Sequence, residues 1–302
     1  MYFSMKRMNE KGTTMNDYVI YTDSACDIPP ETLKEWGVDY RWLTYIFEGD
    51  PRQYTNYELN YPVFYDRIRK GGVARTSAVN AEAFSDGFEP ILQSGKDILY
   101  IGFSSGLSAT YDAAAIAAKE LLEKYPGRDI RCVDTRGASA GFGLLLYMAV
   151  EKKREGATLA ENEQYILDNR FHLCHWFTVE DLVYLKRGGR ISAATALVGN
   201  ILNFKPVLHM DNAGHLINMF KVRGRKNSLS AIADKYGELA LDPAGGTVFI
   251  SHGDCSEDAQ KLADILRERY GVQVAKIVYV GPVIGAHSGP GTIALFFLGR
   301  ER

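Results

Sequence analysis

Cysteine is scarce in this 302-residue chain: Cys26, Cys132, Cys174 and Cys255 lie far apart and form no C-x-x-C pair. That spacing signals neither a zinc ribbon nor a disulfide framework, and four reduced thiols are expected. Charge of one sign is lacking too, with 35 Lys and Arg against 37 Asp and Glu and a formal net charge of -2. Such a surface has no field to capture nucleic acid by neutralising phosphates, so nucleic acid is excluded as a partner. Long apolar runs are missing. The most apolar stretches, Gly143–Val150 and Thr292–Leu298, fall short of the ~20 residues of a spanning helix, which leaves at most transient contact with a membrane surface. There is no G-x-x-x-x-G-K-[ST] loop, hence no evident ATP site. The opening MYFSMKRMNEKGTTMNDY has no apolar h-region and is unlike a secretory signal. Residues 1–16 are read as a disordered leader with Met15 as the natural start, and the chain as cytoplasmic.

What the chain does have is alternation. Strands are expected at Tyr18–Thr22, Val38–Phe47, Asp97–Phe103 and Asp129–Asp134, with helices at Pro30–Trp36, Pro62–Lys70, Ala81–Leu92 and Ser108–Tyr125 between them. This pattern is the sign of a parallel sheet with crossover helices, a three-layer α/β domain over residues 17–170. In the Ser108–Tyr125 helix, Tyr111, Ala114, Ala115, Ala118, Leu122 and Tyr125 are assigned to one apolar face. A helical stretch from Ala138 to Asn169, interrupted near Gly156, leads to a second domain over residues 171–302. There, strands are expected at Phe171–Thr178, Thr247–His252, Val272–Val280 and Thr292–Leu298, with helices at Val179–Leu185, Asn227–Leu241 and Ser256–Tyr270. A hairpin joins Lys205–Met210 to His215–Val222 through Asp211-Asn212-Ala213-Gly214. The second domain is therefore a mixed-sheet α/β unit, whose final segment is expected to return to the interface with the first.

Four constellations could carry chemistry. Gly102 to Tyr111 is a hydroxyl-rich turn with Ser104, Ser105, Ser108 and Thr110, between a strand and a helix. Helix starts at the carboxyl ends of parallel strands favour anions through unpaired N–H groups and the helix dipole. Ser108 is the natural N-cap, and one helix needs only one cap, so the other hydroxyls are free to donate to a ligand. The same residues also satisfy G-x-S-x-G, with Ser104 as an esterase nucleophile and Asp134 and His252 or His287 following in hydrolase order. An elbow leads directly into its helix, whereas here the helix is expected four residues later. Arg75 to Asn80 places Thr76 and Ser77 ahead of another helix start, with Asn80 as its cap. Gly281 to Thr292 sets His287 among glycines that allow close backbone approach. Finally, Arg187-Gly188-Gly189-Arg190 can present guanidinium forks to a phosphate or an acidic partner, although from composition alone it reads as solvated charge near a helix C-terminus. His172 and His175 flank Cys174, yet within a strand the two histidines point to opposite faces and no carboxylate is nearby in sequence, so they are read as structural.

Taken together these segments resemble the DegV family from Tyr18 to Leu298. Thr22 to Pro29 fits its T-D-S-x-x-D-[IL]-P segment, and Arg75-Thr76-Ser77 fits its T-S loop, with Ala78 and Val79 replacing the usual glutamine and proline. Ser104 to Tyr111, Asp134 to Gly141, Phe177 to Ile191, Lys205 to Leu208, the basic Lys221 to Lys226 stretch and the late G-x-H-x-G-P-G run complete the match. The resemblance implies two α/β domains with the ligand between them. It implies non-covalent binding of a long-chain fatty acid, without metal or other cofactor, by a carrier that is not itself an enzyme. Thr76 and Ser108, with Ser104 and Ser105, would hold the carboxylate, with His287 close by. Members similar to this chain present that carboxylate to a separate ATP-using subunit of a fatty acid kinase, which converts it to an acyl phosphate. Arg187, Arg190 and Arg223 would then contact the kinase or a phosphate. The competing readings are a serine hydrolase using Ser104 and a binding protein for a phosphosugar or dihydroxyacetone-type ligand.

Overall fold

A computed structural model of the protein describes residues 17–191 and 203–302; the leader expected over residues 1–16 lies outside them. The chain begins β1 (Tyr18–Asp23), α1 (Pro30–Trp36), β2 (Val38–Arg41), β3 (Thr44–Phe47), β4 (Gln53–Thr55), α2 (Tyr61–Arg69), β5 (Ala74–Ser77) and α3 (Ala81–Gln93). It continues β6 (Asp97–Gly102), α4 (Thr110–Lys124), β7 (Ile130–Asp134), α5 (Ala140–Arg154) and α6 (Leu159–Asn169). Then come β8 (Leu173–Thr178), α7 (Val183–Arg187), β9 (Phe204–Met210), β10 (Leu216–Arg223) and α8 (Arg225–Leu239). The described residues end with β11 (Val248–His252), α9 (Ser256–Tyr270), β12 (Val274–Tyr279), α10 (Pro282–Ser288) and β13 (Ile293–Leu298).

Every residue of β6 is buried, as its continuous Ile-Leu-Tyr-Ile run demands of a central parallel strand covered on both faces. It sits in an all-parallel sheet of order β2-β1-β6-β7. Helices α3 and α4 pack together on this sheet, as do α5 and α6. The second sheet has the order β10-β9-β8-β13-β11-β12, with only β11 and β12 parallel. The molecule is thus α/β with a parallel and a mixed sheet. Helix α5 touches both, reaching β1 and β6 on one side and β8, β11 and β13 on the other. Apolar residues therefore surround it rather than lining a single stripe. Its contact with β8 requires glycine: a Cβ on Gly141 would lie 2.3 Å from His175 Nε2.

Several expectations are corrected. The single strand Val38–Phe47 is two, because the Leu43 amide donates to Ser24 Oγ at 2.9 Å and the chain turns out of the parallel sheet. The second piece, β3, forms a small antiparallel sheet of order β4-β3-β5. Helix α4 begins at Thr110, not Ser108, with Ala109 at its cap. Its buried face is Thr110, Ala114, Ala117, Ala118 and Leu121, about one residue's rotation from the face expected, since both sheet and neighbouring helix claim it. Helix α7 lies at Val183–Arg187 rather than Val179–Leu185, started by Asp181 Oδ1 accepting from the Val183 amide at 2.9 Å. The glycine-rich Gly281 to Thr292 segment, for which no helix is expected, forms α10, where Pro282 occupies a first-turn position that needs no N–H. The hairpin is found with its turn at Asp211–Gly214, and Gly214 adopts φ 82°.

Candidate functional site

The two sheets and the small antiparallel sheet enclose a cavity of about 290 Å³. Its wall is chiefly apolar, with Phe103 and Leu107 from the end of β6, Phe177 and Phe296 from the mixed sheet, and Val283 and Ile284 from α10. Thr76, Ser108, Arg190 and His287 reach it from separate segments, and Ser139, His175, Ser251, Ser288 and Thr292 add polar groups to the wall.

Thr76 arrives on a strand, not on a loop before a helix. Along β5 the period of two turns Arg75 out to Glu48 and Thr76 inward. Asn80 remains the cap of α3, accepting from the Ala83 amide at 2.8 Å. Helix α10 brings His287 to the same place, with Thr76 Oγ1 and His287 Nε2 2.8 Å apart. The other ring nitrogen, Nδ1, is buried with no hydrogen-bond partner. Burial, reinforced by the Arg190 charge, pushes His287 down to about 4, so the ring is neutral near pH 7. An unpaired acceptor is more tolerable in a cavity than an unpaired donor. This favours the tautomer in which Nε2–H donates to Thr76, leaving the threonine proton to point at a ligand. Gly188 is fitted to this ring: a Cβ there would stand 2.0 Å from Nδ1.

Ser108 Oγ lies 2.9 Å from Thr110 Oγ1 and accepts from the Thr110 amide at 3.3 Å. It is not the N-cap expected: the cap residue is Ala109, which makes no side-chain capping bond, and Ser108 stands one position before it. Ser104 and Ser105 do not line the cavity. Ser104 is fully buried and donates to Gly214 O at 2.9 Å, tying the turn to the β9–β10 hairpin. Ser105 donates to Asp134 Oδ2 at 2.6 Å. The residues read as a hydrolase triad, Ser104, Asp134 and His252 or His287, are not brought together. Asp134 is engaged by Ser105 and Arg136, His252 accepts from the Cys255 amide, and His287 faces Thr76. Among the arginines, Arg190 lies in the cavity wall, its Nε donating to Leu107 O at 3.2 Å. Arg187 and Arg223 are exposed and outside it. The cradle is thus not wholly neutral, because a guanidinium stands at its edge.

Two features escaped the sequence reading. Asp27 and Ser139 fall in segments recognised there but given no task, and they join Ser251 beside the cavity: Ser139 Oγ is 2.5 Å from Asp27 Oδ2 and 3.1 Å from Ser251 Oγ. Burial pushes Asp27 up to about 7 despite its hydrogen bonds. Arg302, given no task from sequence, places its guanidinium among carbonyls of Arg136, Arg170, Leu173 and Asp211 at 2.7–3.0 Å. It clips the β7–α5 loop to the hairpin that holds Ser104. His175, which sequence reading leaves structural, accepts from the Ala138 amide at 3.1 Å. Among the described residues no cluster of His, Cys, Asp and Glu could hold a metal ion, and no helix is long and apolar enough to cross a membrane.

The chain is similar to known proteins over nearly its whole length. A DegV domain-containing protein of Clostridium perfringens is 44% identical over 291 residues, covering 95% of this chain and 99% of the relative. Among solved structures, a DegV lipid-binding protein from Thermotoga maritima is 29% identical with a TM-score of 0.82, covering 95% of this chain and 99% of that one. A DegV protein from Thermus thermophilus, described by its fatty acid binding, is 28% identical with a TM-score of 0.85, covering 94% and 99%. The family model described as "Uncharacterised protein, DegV family" matches residues 17–300. By that match and by its relatives, this chain belongs to the DegV family.

Proposed function

We propose that this protein binds a long-chain fatty acid non-covalently, between a domain of residues 17–170 and one of residues 171–302, and holds the carboxylate with Thr76, Ser108 and His287. The observation that carries the reading is the cavity itself, an apolar volume with Thr76 paired to His287 on its wall. The lipid and fatty acid binding of the Thermotoga and Thermus relatives supports it. So does the energetics. Each buried methylene contributes ~0.8 kcal/mol, so a sixteen-carbon chain gains on the order of 10 kcal/mol before entropic losses. The headgroup then needs only fixed donors, which Thr76 and Ser108 hydroxyls supply. Arg190 adds attraction for the anion at its edge. A short polar phosphosugar would leave the apolar wall unmatched.

The chain acts as a cytoplasmic carrier and not as the catalyst. It presents one carboxylate oxygen to a separate ATP-using kinase subunit, which transfers a phosphoryl group to give the acyl phosphate. The exposed Arg187 and Arg223, with Arg190, are suited to contacting that subunit or the phosphate. Organic extraction of gently purified protein, followed by mass spectrometry, is expected to release a fatty acid. Protein that is empty and takes up no added fatty acid would sink the reading. Adding the kinase subunit and ATP to loaded protein, with hydroxylamine as trap, is expected to yield the acyl hydroxamate; its absence would limit the chain to binding.

A further inference from the structure

The cavity has a second group of polar residues that carboxylate binding does not use. Ser251 lies on β11 in one row of the mixed sheet with Ala294 and Phe177, and all three line the cavity. The next row, Phe249, Phe296 and His175, has Phe296 and His175 on the same wall. A fully buried serine in such a floor is out of place unless it meets a partner. Its protein partner is Ser139, which adopts φ 54° and ψ -151°, a region almost reserved for glycine. A side chain is thus kept at a backbone position that favours having none, and its hydroxyl reaches Asp27 and Ser251.

Hydrogen counting shows what is left over. With Asp27 as carboxylate, Ser139 spends its one proton on Asp27 and must accept from Ser251, which leaves lone pairs of Ser251 unfilled. With Asp27 protonated, the chain of bonds reverses and the Ser251 proton is unused. In either state Ser251 retains an open valence. A third hydroxyl adds to this. Ser288 also lines the cavity, and its Oγ is buried with no hydrogen-bond partner.

We propose that Ser139 and Ser251, backed by Asp27, form a second polar subsite in the cavity wall, selecting acyl chains that carry a hydroxyl group. This inference rests on the fatty-acid reading above. A hydroxyl both donates and accepts, so it satisfies Ser251 in either state of the relay, which a methylene cannot do.

The test compares hexadecanoic acid with a positional series of monohydroxy-hexadecanoic acids, each competing with a fluorescent fatty acid for the delipidated full chain. In the native protein at least one hydroxyl position is favoured relative to its neighbours. In Ser251→Ala the ratio of hydroxylated to plain affinity at that position falls about tenfold, the worth of one good hydrogen bond. Ser139→Gly, whose backbone fits the positive φ, shows the same selective fall and decides the matter should the first variant not fold. A ratio that is the same in native and variant protein, or flat across positions, overturns the inference while leaving the fatty-acid reading intact. A native protein that binds neither class of acid overturns both.

Discussion

Thr76 and His287 are 211 positions apart in the chain and 2.8 Å apart in the fold. The contact exists because α10, which follows the mixed-sheet strand β12, packs back onto the first half of the chain. Tyr65 on α2 donates to Val280 O at 2.7 Å, and Asn56 Oδ1 accepts from the Val283 amide at 2.9 Å. These two bonds seat the helix, and the helix seats the imidazole over β5.

Thr76→Val keeps the β-branched shape the strand prefers while removing the hydroxyl that His287 orients. Loss of one charge-assisted hydrogen bond to the carboxylate is expected to cost about 1.5–3 kcal/mol, roughly ten- to hundredfold in fatty acid affinity. Displacement of a fluorescent fatty acid measures it. Ser108→Ala should weaken binding comparably, and the double variant should be recovered without lipid. Retention of a full equivalent of lipid by the double variant would remove the headgroup assignment.

The buried Asp27 and His287 make opposite contributions to the pH dependence of stability. Asp27 is raised to about 7 in the fold from about 3.9 when unfolded, so between those values the native state holds a proton that the unfolded chain has lost. Its contribution is full below about pH 4 and is lost as pH rises towards 7. His287 is lowered to about 4 from about 6.5, so the unfolded chain binds the extra proton and stability rises with pH across that window. Asp27→Asn mimics the protonated acid and removes only the first contribution. Each tenfold difference in proton affinity between the folded and unfolded chain is worth about 1.4 kcal/mol. The melting temperature of Asp27→Asn relative to the native protein is therefore expected to rise between pH 5 and pH 8, by roughly 5 °C or more. Parallel melting curves across that range would mean that Asp27 is not held protonated.

Much of this molecule is legible in its sequence because local patterns report local structure. The buried run of β6, the hairpin turn at Asp211–Gly214 and the break near Gly156 each follow from a few neighbouring residues. Thr76, Ser108 and His287 also stand out within short segments, as hydroxyls ahead of a helix and a glycine-flanked histidine. What stays hidden is long-range. Nothing near Thr76 announces a third sheet, because β4 has only three residues and β5 pairs with β3 across a connection that contains α2. The relay from Asp27 to Ser251 joins three distant segments, each of which reads locally as a cap or an ordinary strand residue. The hydroxyl-rich turn misleads in a different way: Ser104 and Ser105 look as available as Ser108, and only the fold shows Gly214 and Asp134 taking their protons.

Ser104→Ala separates the hydrolase reading from the structural one. The buried Ser104 hydroxyl ties the turn to the hairpin, so its removal leaves Gly214 O without that donor and should destabilise the protein by about 1–2 kcal/mol. The native protein is expected to resist a fluorophosphonate probe and to show no ester turnover. Labelling that disappears in Ser104→Ala would restore Ser104 as a nucleophile.

Gly188→Ala tests how closely the binding site depends on the placement of one ring. Gly188 has φ -73°, so alanine fits its backbone without strain. The three heavy atoms nearest to a Cβ there all belong to the His287 ring, with Nδ1 2.0 Å away. The ring must therefore tilt or shift, breaking its alignment with Thr76, while the rest of α7 keeps its contacts. Fatty acid affinity is expected to fall roughly tenfold, about the cost of one lost hydrogen bond. The melting temperature of the lipid-free protein should change by only a few degrees. His287→Ala in the Gly188→Ala background should add little further loss, because both act on the same ring. Independent, additive losses from the two substitutions would place the effect of Gly188 elsewhere than on His287.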